Sequence, residues 1–187
     1  MSGKLVILSG PSGVGKDTVL QRWTEINPDV VKVVSCTTRA PRPGEVDGVD
    51  YHFLNAEAFH AKARSGQFLE YKMVHQNWYA TPLDHMEALL ANGKIAVLKI
   101  DVQGALTALR LRSDALSIFL LPPSWEELER RIRGRASDSP EEIEVRLQNA
   151  RDEIATAAEY AYRVVNDDLE RAVSEIDAIV RREMAEP

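Results

Sequence analysis

Residues 5–18 read LVILSGPSGVGKDT: an apolar run, a glycine-rich turn closed by Lys16, and the opening of a helix that continues through Val19 and Leu20. The order strand, glycine loop, helix is the context in which such a turn holds a polyphosphate. Glycines let the chain fold tightly enough for successive N–H groups to face the anion. The helix start adds its dipole, and Lys16 supplies a point charge at the end of the phosphate chain. About twenty residues on, residues 35–51 read SCTTRAPRPGEVDGVDY, a breaker-rich segment carrying Arg39 and Arg42. A phosphate loop followed by a second arginine-bearing loop describes a site for two phosphorylated ligands, which separates a phosphotransferase from a generic nucleoside triphosphatase.

A chain of 187 residues with 44% apolar and 28% charged residues is expected to form one globular domain with its own core. The apolar stretches fall short of the roughly 20 residues that span a bilayer, and Leu5 to Leu8 is too short for a secretion signal. A net charge of −6 argues against non-specific binding of nucleic acid. The expected setting is the cytoplasm, away from membranes, as a monomer or homodimer. With Cys36 as the sole cysteine no internal disulfide forms, and with no histidine near it in sequence it reads as a small apolar filler rather than a catalytic thiol.

Along the chain, Val30 to Val34 reads as a β-branched strand that opens into the 37–48 loop. Asn55 caps a helix running to about Ser65, and Gly66 closes it. A short strand, Phe68 to Tyr71, follows. Thr81 before Pro82 reads as an N-cap with proline at the first helical position, and Gly93 ends that helix. Ile95 to Ile100 reads as a buried parallel strand interrupted by Lys99, with Asp101 at its carboxyl end, where open α/β sheets place ligands. A helix from about Val102 to Arg110 leads to the strand Leu116 to Leu121. Ser124 with Glu127, and Ser139 with Pro140 and Glu142, give two capping-box starts on either side of the polar hinge 134–138. The second helix is expected to run through Arg146 to about Glu159. Arg163 to Asn166 is a last strand, and Leu169 to Met184 a closing helix with Ala172, Val173, Ile176, Ile179 and Val180 at helical spacing. Strands alternating with helices predict an α/β fold with a parallel sheet wrapped on both faces.

The basic residues cluster where phosphates would lie. Arg39 and Arg42 share one segment, and Arg130, Arg131, Arg133 and Arg135 another. Alone, the second group equally fits a solvated helix face paired with Glu126, Glu127 and Glu129.

Taken in order, these residues resemble the guanylate kinases along nearly the whole chain. The pattern S-x-T-T-R-x-P-R-x-G-E-x-D-G-x-D-Y-x-F is met from Ser35 to Phe53. It is followed by Phe68-Leu69-Glu70-Tyr71, Tyr79-Ala80-Thr81, Ile100-Asp101-Val102-Gln103-Gly104, Arg146-Leu147 and Val165-Asn166-Asp167-Asp168. The resemblance implies a P-loop nucleoside monophosphate kinase fold with three parts. These are a parallel-sheet core (1–34, 94–124 and 160–187), a GMP-binding subdomain (35–93) and a mobile lid (125–159). It implies Mg²⁺-dependent transfer of a phosphoryl group from ATP to GMP or dGMP. ATP would lie on Gly10, Pro11, Ser12, Gly13, Val14, Gly15, Lys16, Asp17 and Thr18, with Asn166 near the adenine and Thr18 on the metal. GMP would be held by Arg39, Arg42, Tyr51 and Tyr79 at its phosphate and by Ser35, Glu70, Thr81 and Asp101 at its base. Arg131, Arg135 and Arg146 would join Lys16 and Arg39 around the transferring group. These cations are expected to lack close partners until phosphates arrive, so that binding both nucleotides draws lid and subdomain inward.

A carboxylate at Glu70 suits guanine because it accepts from both N1–H and the 2-amino group, whereas adenine offers a lone pair at N1. Three positions depart from the family pattern. Asp17 follows the loop lysine where a small or hydroxyl residue is usual, and either holds the metal through water or caps the loop. Ala80 stands where glycine is usual. Lys99 stands where an acid is common. A lysine-aspartate loop also resembles ribose 1,5-bisphosphate phosphokinases, which lack the guanine and clamp residues. Non-catalytic guanylate-kinase-like interaction modules resemble the fold but typically lose the loop lysine or the lid arginines.

Overall fold

The structure is a computed structural model, and it describes residues 3–74, 76–134 and 139–185. Nine strands and seven α-helices are assigned among these residues. In chain order they are β1 (Lys4–Ser9), α1 (Lys16–Ile26), β2 (Val30–Lys32), β3 (Cys36–Thr37), β4 (His52–Phe53), α2 (Ala56–Arg64), β5 (Phe68–Val74) and β6 (Asn77–Pro82). Then come α3 (Leu83–Ala91), β7 (Ile95–Lys99), α4 (Val102–Leu111), β8 (Leu116–Leu121), α5 (Trp125–Arg133), α6 (Pro140–Ala155), β9 (Tyr162–Val165) and α7 (Leu169–Ala185). A short 3₁₀ turn, Thr156–Glu159, follows α6.

Five strands form a parallel sheet in the order β2-β7-β1-β8-β9. Its near-continuous apolar strands divide by parity. Val6 and Leu8 of β1, Ile95 and Val97 of β7, and Leu116, Ile118 and Leu120 of β8 face α1 and α7. Leu5 and Ile7, Ala96 and Leu98, and Phe119 face α3 and α4 on the other side. Burial on both faces is why these strands read as apolar runs rather than alternating ones. Trp23 of α1 and Asn27, its C-cap, donate to the Asp177 carboxylate of α7 at 2.9 and 2.6 Å, which ties the two helices together on one face.

A second sheet of four strands, ordered β4-β3-β6-β5, lies wholly within residues 36–82. Its own cluster of Cys36, Phe59, Phe68 and Ala80 packs beneath α2. Cys36 is buried there, and burial pushes its thiol up to about 11, as an apolar filler would be.

Several local expectations are corrected. The strand beginning at Val30 stops at Lys32, because the chain leaves for the second sheet at Cys36. The strand starting at Phe68 extends to Val74, pairing antiparallel with β6, which was not anticipated. Thr81 is not an N-cap: it lies inside β6, Pro82 closes the ladder opposite Phe68, and helix α3 begins at Leu83. Ala80 occupies an ordinary paired strand position opposite Cys36, so β6 has no need of glycine there. The Ser139 capping box is complete, with both halves formed. At Ser124 only one half forms: its hydroxyl accepts from the Glu127 N–H, and the Glu127 carboxylate goes to Arg130 and Arg131 instead. Helix α6 ends at Ala155 rather than running to Glu159.

Candidate active site

The phosphate loop bridges the end of β1 and the start of α1. Gly15 is the N-cap of α1 at φ +100, with no side chain capping the helix, so the first-turn amides remain turned toward the loop. A Cβ at Gly15 would come within 2.7 Å of Asn166 Nδ2, so both the conformation and the space exclude other residues. Gly10 is likewise packed against the β8 backbone, where a Cβ would meet Leu120 O at 2.6 Å. The Lys16 ammonium folds back onto the carbonyls of Gly10 and Pro11. Glu153 of α6 accepts from the Ser12 N–H at 3.2 Å, an anion seated on a loop amide. Burial raises the Glu153 carboxyl above its ordinary value, against that hydrogen bond and the charges of Lys16 and Lys72.

Asn166, at the end of β9, is buried and donates from Nδ2 to Val14 O at 2.8 Å. That bond ties the residue expected near the adenine to the phosphate loop. Arg131 of α5 donates to Val14 O at 3.4 Å, and Arg146 of α6 reaches Ser12 Oγ at 3.5 Å. Two helices thus bring cations onto the loop. Arg135 lies outside the described residues.

The expectation that these cations lack partners is corrected. Arg131 is paired with Glu127 at 2.8 Å, while Arg39 is paired with Glu45 at 2.8 and 3.0 Å. Hydrogen bonds from Arg130 and Arg131 drop the Glu127 carboxyl to about 2. Arg130 and Arg133 conform to the solvated-face reading, paired with Glu127, Glu129 and Glu144.

The second loop builds its own cluster. Glu45 accepts from the Arg39 guanidinium and from the Arg42 N–H at 2.7 Å, so one carboxylate shapes the turn that presents both arginines. Arg39 also lies over the Tyr51 ring at 5.5 Å, and the Tyr51 and Tyr79 rings sit 5.9 Å apart. Arg39, Tyr51 and Tyr79, three of the residues expected at the acceptor phosphate, are therefore together, while Arg42 is exposed and tied to them through its backbone N–H on Glu45.

Between the two sheets lies a cleft of about 270 Å³. Ser35, Tyr51, Glu70, Tyr79 and Asp101 line it, as the sequence led us to expect. Glu70 projects from β5, an edge strand, yet is only 8% exposed. Its Oε1 accepts from the Thr81 hydroxyl at 2.7 Å. Burial pushes the Glu70 carboxyl above its ordinary value, against that hydrogen bond and the nearby Lys72 charge. Asp101 is the N-cap of α4, accepting from the Gly104 N–H at 2.9 Å, and its other oxygen pairs with Lys72.

Sequence reasoning missed Lys32, Asp50 and Lys72 in this cleft, and Glu153 and Glu45 beside it. Strand parity supplied a signal for Lys72, two residues from Glu70. Lys99 lines the cleft from β7 and pairs with Asp17. Partial enclosure opposes ionisation of Asp17, but the hydrogen bond and charge of Lys99, with Lys16 and Lys32, outweigh it and hold the carboxyl below its ordinary value. Asp17 thus neither caps the loop nor stands alone.

Chemically, a glycine-rich loop closed by Lys16, an arginine and tyrosine cluster, and a cleft holding a buried carboxylate are present together. The Guanylate kinase family model matches residues 2–183. A guanylate kinase of Clostridium perfringens is 46% identical over 181 residues, covering 97% of this chain and 84% of the relative. One from Deinococcus radiodurans is 47% identical over 184 residues, covering 98% of this chain and 77% of its own. The crystal structure of guanylate kinase from Anaplasma phagocytophilum superposes with a TM-score of 0.79 at 37% identity, covering 97% of this chain and 86% of that one.

Proposed function

This chain belongs to the guanylate kinase family, and from that premise we propose how its residues divide the transfer of the ATP γ-phosphoryl group to GMP. The observation that carries the division of labour is Glu70, a carboxylate buried in the cleft between the two sheets, with Thr81 fixing one of its oxygens. An ionised carboxylate there accepts from N1–H and the 2-amino group of guanine. At the other end of the cleft Arg39, held by Glu45, and Arg42 take the acceptor phosphate, with the Tyr51 and Tyr79 hydroxyls beside them. Forked guanidinium donors match a dianion better than lysine does. Ser35 and Asp101 complete the base end.

On the donor side the loop from Gly10 to Gly15 wraps the triphosphate of ATP, and Lys16 leaves its loop carbonyls for the phosphates. An oxygen of the GMP phosphate attacks the γ-phosphorus in line, the bond to the bridging oxygen breaks, and ADP departs with that electron pair. No covalent enzyme intermediate is required, so the residues contribute position and charge. Arg131 and Arg146, already on the loop, and Arg135 of the lid neutralise charge around the transferring group. Closure of the lid over both nucleotides excludes water and limits hydrolysis.

The family also implies Mg²⁺. The Thr18 hydroxyl and the Asp17 carboxylate, both exposed in the first turn of α1, are the hard oxygen donors that ion takes, and one or two such groups suffice when phosphates complete its shell. Thr18 is the residue assigned to hold it; when bound, the ion neutralises phosphate charge and orients the oxygens.

The test is a coupled ADP-release assay with ATP and Mg²⁺ against GMP, dGMP, AMP, UMP, IMP and ribose 1,5-bisphosphate. GMP is expected to be turned over fastest, with dGMP also accepted because the named contacts fall on base and phosphate. Faster turnover of ribose 1,5-bisphosphate than GMP would overturn the assignment.

A further inference from the structure

Glu70 and Lys72 stand two residues apart on β5, so the pleat turns both toward the cleft, while Tyr71 and Met73 between and beyond them are exposed. The Lys72 side chain is only 22% exposed, and its ammonium pairs with Asp101 across the cleft. That pair fixes the ammonium next to the buried Glu70 carboxylate.

The polar groups around Glu70 differ in what they can offer a base. Ionised Glu70 and Asp101 only accept hydrogen bonds. The Thr81 hydroxyl has committed its proton to Glu70 Oε1, which leaves it an acceptor toward anything else. The ammonium of Lys72 carries three donors, of which Asp101 takes one among the described residues. A guanine whose N1–H and 2-amino group face Glu70 presents its 6-oxo oxygen, an acceptor, immediately beyond N1. Adenine presents a 6-amino group there, and its hydrogens would meet the ammonium's own.

The geometry points to Lys72 as a further specificity-determining residue: its ammonium, oriented by Asp101, donates to the 6-oxo oxygen of the acceptor purine. This rests on the GMP-kinase reading of the cleft and adds a second reader to it. Glu70 selects for the N1–H and 2-amino donors, Lys72 for the 6-oxo acceptor. Burial lowers the ammonium's pKa, and the charges of Glu70 and Glu153 oppose that fall.

The test is equilibrium binding of three nucleotides to the full chain and to Lys72→Met, which keeps the apolar stem. GMP has both the 6-oxo and the 2-amino group. IMP keeps the 6-oxo group alone. The 5′-monophosphate of 2-aminopurine riboside keeps the 2-amino group alone. Lys72→Met should weaken GMP and IMP roughly 10- to 100-fold, the effect of a hydrogen bond from a charged donor, and change the 2-aminopurine nucleotide less than about twofold. Equal weakening of all three would place Lys72 at the phosphate or in the fold and overturn the proposal, as would unchanged GMP binding. Should Lys72→Met fail to fold, Lys72→Gln carries the same comparison with a neutral donor, and an unchanged ratio of GMP to 2-aminopurine nucleotide would again overturn it. If the unaltered chain binds AMP as well as GMP, the GMP-kinase reading itself fails, an outcome separate from any effect of Lys72.

Discussion

Lys99, at the last position of β7, forms an ion pair with Asp17, in the first turn of α1, across 82 residues of sequence. The lysine beside the phosphate loop and the carboxylate next to the loop lysine thus offset one another's charge locally. The Asp17 side chain is 84% exposed, so the pair contributes little to stability, at most about 1 kcal/mol. Its consequence lies in the field that the incoming triphosphate meets.

Asp17→Asn should therefore strengthen binding of ATP in the absence of a divalent cation, because one repelling charge is gone. A unit charge a few ångströms away in water contributes about 1 kcal/mol, roughly a fivefold change. With Mg²⁺ present, the gain should vanish or reverse. Titrating an ATP analogue with chelator and then with Mg²⁺ measures both, and an identical change under the two conditions would show that Asp17 does not face the phosphates.

Lys16→Met should lower phosphoryl transfer by at least about 100-fold while the fold survives, since the ammonium sits on the loop carbonyls of Gly10 and Pro11 rather than in the sheet core, and a phosphate-stabilising donor is lost. Coupled kinetics alongside circular dichroism decide the matter. Appreciable activity in a folded variant would remove Lys16 from the assigned role.

Asn166→Ala should weaken ATP binding through the loop rather than through adenine contact. The amide donates to Val14 O, which would keep only the longer 3.4 Å contact from Arg131, and losing such a hydrogen bond costs about 0.5 to 1.5 kcal/mol. Both the melting temperature and the affinity for an adenine-free triphosphate should fall. If only adenine-bearing ligands lose affinity, Asn166 reads the base instead.

The phosphate loop was legible because every residue of it is consecutive, and strand, turn and helix dictate their own conformations. The five parallel strands were legible for a related reason: burial on both faces writes itself as an apolar run. The second sheet was not. Its strands β3 and β4 are two residues long, too short for any period, and β6 ends in Thr81-Pro82, which locally imitates a helix start. Only pairing with β5 and β3 shows otherwise, and pairing is tertiary. The ion pairs that shape the site, Lys72 with Asp101 and Lys99 with Asp17, join residues 29 and 82 apart. The partners of Arg39 and Arg131 were closer in sequence, at six and four residues, yet a basic cluster read for phosphates gave no reason to weigh nearby acids as their resting partners.

Glu70→Gln tests the base reader, and the pH dependence of the unaltered enzyme tests it independently. Glutamine keeps the size and one acceptor, but its amide turns donors toward guanine's donors, while the cluster of Arg39, Arg42, Tyr51 and Tyr79 is untouched. The loss in kcat/KM for GMP should be about 1.5 to 3 kcal/mol, a factor of roughly 10 to 150, with a much smaller change for AMP. Burial raises the Glu70 carboxyl above its usual 4.5, and only the ionised form accepts both guanine donors. Affinity for GMP should therefore fall as the pH drops through a window above 4.5, and Glu70→Gln should abolish that fall. The stability of the unliganded chain should respond in the opposite sense. With the folded pKa above the unfolded one, the folded state binds the extra proton, so this group's contribution is full at low pH and is lost as the pH rises through the folded value. Measuring GMP affinity and melting temperature on the same pH series separates the two. If both decline together on acidification, with Glu70→Gln behaving as the unaltered chain does, the acid sensitivity belongs to another group and Glu70 is not the base reader.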